Sequence, residues 1–304
     1  MFMHISRNSC AAHQYLKKMI NNSVSQQLPP AKTMIVNDIP VMYYEEGAGE
    51  TLVLLHGWPQ TSYIWRKIFP ELARQYHVIA VDLPGMGNTH KTTTADTKTV
   101  ATFLKQFFDQ LKLAQINLIA HDIGAWVAVT FALEYESSLR SLMVMDAGIP
   151  GLMPDEVFLP ANAGKIWQFY FHAVHDIPEF LLEGKEKEYF TWYFTNKSVV
   201  KDAINGDDIE VYYQAYKGKE VLSNGFAYYR EFSHSAKQNL DYKKQLTLPI
   251  LAIGATQSQG LNVARAMNKV SKNKVKEINI PNCGHYISEE RPEELLISIR
   301  EFVG

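Results

Sequence analysis

The stretch LIAHDIGAWVAVTFAL, residues 118–133, decides how the rest of the chain is read. Leu118, Ile119 and Ala120 are apolar without polar alternation, as expected of a strand covered on both faces. From Ile123 onward the pattern is helical, so a strand passes directly into a helix with Asp122 at the bend. Ala120, Gly124 and Ala125 are small enough to let the two elements approach closely. Outward from this unit, short apolar runs alternate with longer segments of helical period. The runs are VMYYEE (41–46), TLVLLHG (51–57), HVIAVDLPG (77–85), INLIAHD (116–122), LRSLMVMDAG (139–148), LPILAIG (248–254) and KVKEINIP (274–281). This alternation predicts an α/β architecture, a mostly parallel sheet flanked by helices.

The alternation stops at Pro150. Residues 149–240 are helical in pattern and crowded with rings, among them Trp167, Tyr170, Tyr189, Tyr193, Tyr216, Phe226 and Tyr229. They are expected to form a helical cap inserted into a core made of residues 31–148 and 241–304, and most of the rings are expected to pack the interior of that cap. Residues 1–30 are polar, end in Pro29-Pro30, and are expected to be a loosely ordered leader.

Composition narrows the function. In 304 residues, 46% hydrophobic residues can fill one large core, and 30 basic against 32 acidic residues gather into no run suited to nucleic acid or an anionic membrane. Cys10 and Cys283 supply neither a disulfide framework nor zinc-ligand spacing. No apolar stretch reaches the roughly 18 residues of a membrane span, and the first thirty residues lack a signal-peptide core, so a soluble, cytoplasmic protein is expected.

The bend at Asp122 has the pattern of the nucleophile elbow, G-x-S-x-G in serine hydrolases, with aspartate in place of serine and Ala120 in place of the first glycine. The replacement sets the chemistry. A carboxylate is already ionised at neutral pH and can attack carbon without a base to remove a proton, forming an ester. Taken alone, Asp122 reads equally well as a helix N-cap. The loop His56-Gly57-Trp58-Pro59 adds a second feature, since the N–H groups of Trp58 and Ile123 together make a candidate oxyanion hole. His56 is expected to hold this loop beside the substrate.

His285, in PNCGHYISEERP (281–292), follows the last strand on a glycine-flanked loop and is the candidate base that activates water against the ester. Such a histidine needs an acid to fix its tautomer. No Asp or Glu occurs between Leu248 and Lys276, where many hydrolases of this kind carry it, which leaves Asp146 at the end of the strand SLMVM (141–145). Asp146 otherwise reads as an ordinary turn residue.

These residues resemble the epoxide hydrolase and dehalogenase branch of the α/β-hydrolases over residues 33–304, and most closely the Cif-like epoxide hydrolases. LHGWPQT, HVIAVDLPGMG, AHDIGAW, GKIWQFYF, GFAYYREF and NCGHY carry the resemblance. It implies a small, largely apolar epoxide and water as the reacting partners, with no metal or organic cofactor. It also implies cap donors for the epoxide oxygen, one of them Tyr229. The second donor position holds Gln168, whose amide can donate a hydrogen bond but cannot deliver a proton; Tyr170 and His172 are the other candidates. Trp126 is placed in the substrate pocket. A dehalogenase using the same Asp122 is the alternative. Against it, haloalkane dehalogenases commonly carry tryptophan where Ile123 stands, and in fluoroacetate dehalogenases arginines occupy the positions of Ile123 and Trp126. A ligand-binding relative without turnover is a third reading.

Overall fold

The computed structural model describes residues 27–304, so the expected leader lies outside the described residues except for residues 27–30, and Cys10 lies outside them too. One eight-stranded sheet runs in the order β1-β2-β4-β3-β5-β6-β7-β8. Its strands are β1 Lys32–Val36, β2 Ile39–Glu46, β3 Thr51–Leu55, β4 His77–Val81, β5 Ile116–His121, β6 Leu139–Met145, β7 Ile250–Ala255 and β8 Lys276–Ile280. From β4 to β8 neighbouring strands are parallel, while β2 runs antiparallel to both β1 and β4.

The central strands show why their sequences lack polar alternation. Val53 and Leu55 of β3 and Leu118 and Ala120 of β5 pack into the core on one face; Leu52, Leu54 and Ile119 pack into the core on the other. Both faces of each strand are therefore apolar, because successive side chains point to opposite sides. β1 was not anticipated. It is a short edge strand with mostly exposed side chains, whose apolar run is only the three residues Met34-Ile35-Val36. It reaches β2 through Asn37 and Asp38, both at positive φ (47° and 64°), a two-residue hairpin turn that these side chains tolerate.

Helices cover the sheet. In the core they are α1 Phe69–Ala73, α2 Thr97–Gln110 and α3 Ile123–Tyr135. The chain then inserts α4 Ala163–Ala173, α5 Ile177–Leu182, α6 Glu186–Lys197, α7 Gly206–Tyr216, α8 Lys219–Arg230 and α9 Phe232–Asp241 between β6 and β7. It ends with α10 Asn262–Asn268, α11 Ile287–Glu290 and α12 Pro292–Val303. Asp96 caps α2 by accepting from Thr99 N at 3.0 Å, and Val100, Leu104, Phe107 and Phe108 form the buried stripe of that helix. α3 is apolar all round because nearly all of it is buried. No helix among the described residues is long and apolar enough to cross a membrane.

The order of strands reverses beside β3, and loops leaving the carboxyl ends of β3, β5, β6 and β8 meet there, the usual location of a ligand crevice in such sheets. At the β5–α3 bend Asp122 has φ 51°, a strained value for a residue with a side chain. The close approach depends on Gly124, where an added Cβ would press into the carbonyl oxygens of His56 and Leu55. Gly124→Ala is therefore expected to cost about 3 kcal/mol, the upper end of ordinary overpacking. Denaturant unfolding checks this, and a midpoint equal to wild type would refute it.

Candidate active site

Each strand end contributes one group. The β3 loop supplies the N–H of Trp58, which donates to Asp122 Oδ1 at 3.0 Å. The N–H of Ile123, at the start of α3, adjoins the carboxylate and helps to lower its pKa. Asp122 Oδ2 faces His285 Nε2 at 3.5 Å. On the other side of the ring, His285 Nδ1 lies 2.7 Å from Asp146 Oδ2, while Asp146 Oδ1 accepts from Ala255 N at 3.0 Å and Gln259 N at 3.1 Å. The structure thus brings Asp122, His285, Asp146, Trp58 and Ile123 into one cluster.

Electrostatics divide the roles. Burial opposes ionisation of Asp122, but the imidazole of His285 and the backbone donors outweigh it and hold the carboxyl down at about 2. For His285, burial pushes the imidazolium pKa down, and the hydrogen bonds and charges of Asp122 and Asp146 overcome it, raising it to about 9. The resting pair is an ionised carboxylate facing a protonated ring. His121, next to the bend, is buried to the point that its pKa falls to about 4; its Nε2 lies 2.9 Å from the carbonyl oxygen of His285 and so donates to it as a neutral ring.

His56 does hold its loop. Its Nδ1 lies 2.9 Å from Gly57 O and its Nε2 accepts from Leu83 N at 3.0 Å, which leaves no ring nitrogen for a ligand and corrects its placement as a substrate contact. Trp126 is buried in the first turn of α3, stacks edge-on against Tyr229 at 5.6 Å, and its Nε1 has no hydrogen-bond partner.

Above these groups, the inserted helices converge on the Trp58 ring. His172 of α4 lies 4.5 Å from it, Tyr193 of α6 5.2 Å, Phe226 of α8 5.5 Å and Tyr229 of α8 6.1 Å, each pair in a tilted or edge-on contact. The phenols of Tyr193 and Tyr229 influence one another and both feel the charge of Asp122, with burial pushing their ionisation far up, so both stay protonated.

Sequence reasoning placed Tyr229 here but gave the second position to Gln168, and the structure corrects this. Gln168 is buried; its oxygen accepts from Lys197 Nζ at 2.8 Å and its nitrogen donates to Lys165 O at 3.2 Å, so the amide is held by the helices on both sides. Tyr170 is 55% exposed and points away. His172 is neutral, held far below its usual pKa chiefly by burial, with Nε2 2.6 Å from Tyr189 OH. The residue that the structure sets beside Tyr229 is Tyr193, which sequence reasoning did not single out. Tyr189, Tyr193 and Lys197 recur every fourth residue and so share one face of α6, a spacing visible in the sequence.

One further carboxylate ties the insertion to the histidine loop. Glu290 Oε2 accepts from Gly284 N (3.0 Å), Val199 N (2.7 Å) and Val200 N (2.9 Å), and Oε1 from Tyr286 N (3.2 Å). Beside it, His285 N donates to Lys197 O at 3.0 Å.

The sequence model of the α/β hydrolase fold family matches residues 50–292. A soluble epoxide hydrolase of Corynebacterium sp. (strain C12) is 30% identical over 275 residues, covering 88% of this chain and 95% of the relative. The chain belongs to the epoxide hydrolase branch of the α/β-hydrolases. Within this family, a fluoroacetate dehalogenase from Burkholderia sp is 25% identical over 291 residues, 88% of this chain and 92% of that protein. Among solved structures, Cfl2 wild-type from Burkholderia cenocepacia is similar, with a TM-score of 0.87 and 35% identity over 92% of this chain and 97% of that one.

Proposed function

We propose that this α/β-hydrolase opens small, largely apolar epoxides to vicinal diols through an ester on Asp122. The observation that carries the reading is the carboxylate's division of labour: one oxygen rests on the Trp58 N–H and the other faces the imidazole beneath two protonated phenols. Oδ2 attacks the less hindered ring carbon, a C–O ester bond forms as the ring C–O bond breaks, and the departing oxygen takes a proton from Tyr229 or Tyr193. Water then adds to the ester carbonyl while His285 takes its proton. The charge that develops on Oδ1 is met by the N–H groups of Trp58 and Ile123. Collapse expels the alkoxide, which takes the proton held by His285, and the water's second proton leaves the new carboxyl to restore the tyrosine; the diol departs and the water oxygen stays in the carboxylate.

The protonated resting state of His285 fits this sequence. A base must be neutral, and esterification removes the Asp122 charge that helps keep the ring protonated. The inserted helices act as the cap, and residues 149–240 are the proposed extent of that unit. The aromatic lining favours apolar substrates.

A paired screen of epoxides against haloalkanes and haloacids, scoring diol and halide release, tests the reaction class. Diol without halide is expected; halide release without any diol would transfer the chain to the dehalogenase reading. Tyr229→Phe and Tyr193→Phe are each expected to lower kcat/KM for an epoxide by about 10- to 100-fold, since each removes one acidic donor. If Tyr193→Phe keeps wild-type kcat/KM, Tyr193 is not a donor.

A further inference from the structure

Lys197 stands out among the charged groups of the inserted helices. No Asp or Glu among the described residues lies within ion-pair distance of its ammonium, whereas the nearby cations Lys187 and Arg230 each have such a partner. Of the three N–H donors of an ammonium, one goes to Gln168, and the group lies over the Tyr193 ring, 4.6 Å from its centroid. Lys197 is only partly buried as a whole residue, and no second acceptor among the described residues takes the remaining donors of its ammonium. Burial lowers its pKa to about 8 while Asp122 and Asp146 act to raise it, which leaves it mostly charged at neutral pH and within reach of the nucleophile's field. A cation held within the inserted helices without a carboxylate partner is costly. Its position next to a proposed ring-opening phenol gives that cost a use. An anionic substrate meets the repulsion of Asp122, which the charge of Lys197 offsets.

We infer that Lys197 forms an anion subsite, so that the preferred substrates are epoxides bearing a carboxylate a short chain away from the ring. This inference rests on the epoxide reading above. The carboxylate accepts from the free donors of Lys197 while the epoxide oxygen lies under Tyr193 and Tyr229, and the Gln168 oxygen fixes the direction of the ammonium.

The test uses terminal-epoxy acids from 3,4-epoxybutanoate to 7,8-epoxyoctanoate, each paired with its methyl ester, with kcat/KM read from diol formation. In the wild-type enzyme at least one chain length is expected to favour the acid by 10-fold or more. That ratio is expected to fall at least 10-fold in Lys197→Met and to be largely kept in Lys197→Arg, which preserves the charge. Esters turned over as well as acids at every length, or an acid preference unchanged in Lys197→Met, overturns the subsite and leaves epoxide hydrolysis standing. Absence of diol from every acid and every ester, in protein whose circular dichroism is that of a folded α/β domain, overturns the epoxide reading and the subsite with it.

Discussion

Mixed with a reactive epoxide, His285→Gln is expected to consume about one equivalent and then stall, its kcat reduced roughly 1000-fold. The first half of the proposed reaction needs only Asp122, its N–H donors and the two phenols, all of which the substitution leaves in place. The second half needs a base 3.5 Å from Asp122 Oδ2, and glutamine cannot take a proton. Ester therefore accumulates. Intact mass should rise by the mass of the epoxide, and digestion should place the adduct on the peptide holding Asp122. An unmodified protein under these conditions would remove the covalent route. Single turnover of the wild-type enzyme in heavy-oxygen water gives a separate reading, with label expected first in the Asp122 carboxylate; label appearing directly in the diol would mean that water attacks the ring itself.

Asp146→Asn is expected to lower kcat by about 100- to 10,000-fold with little change in fold. An asparagine oxygen can still accept from Ala255 N and Gln259 N, but its nitrogen then faces His285 Nδ1 donor to donor and favours the wrong tautomer. The same substitution should alter how stability varies with pH. Because His285 has its pKa raised from 6.5 to about 9 in the folded state, its protonation stabilises the fold fully below about pH 6.5, and that contribution is lost as pH rises towards 9. Asp122 behaves in the opposite sense: held down at about 2 against 3.8 when unfolded, it contributes above pH 3.8 and ceases to do so as pH falls towards 2. Removing the Asp146 charge lowers the folded pKa of His285, so the alkaline decline should still begin near pH 6.5 but end at lower pH and be smaller in size. Thermal unfolding followed between pH 6 and 9.5 measures this, and superimposable wild-type and Asp146→Asn profiles would contradict the pairing.

The core was legible in the sequence because its signals are local. A strand buried on both faces writes an unbroken apolar run, and the loops after β3, β5, β6 and β8 carry the groups that meet, each at a strand end where position in the chain already implies position in space. Asp146 was reachable by elimination, since the segment from Leu248 to Lys276 holds no acid. β1 was invisible for the converse reason, being an exposed edge whose only marker is the Asn37-Asp38 turn. The insertion was harder. Which of its many rings look down is fixed by how the inserted helices settle on Trp58, a matter of long-range packing, so Tyr193 passed as filler and Gln168 was given a role that Lys197 and Lys165 had already claimed.

Glu290 links admission of substrate to readiness for catalysis. The same carboxylate grips the turn after α6 and the backbone beside His285, and Lys197 adds a second strut between them. A roof hinged wide open would pull out these fastenings and carry the imidazole out of alignment with the aspartates below. Lifting of the roof and alignment of the imidazole are therefore coupled, and a chain that did unlatch would be disarmed for as long as it gaped.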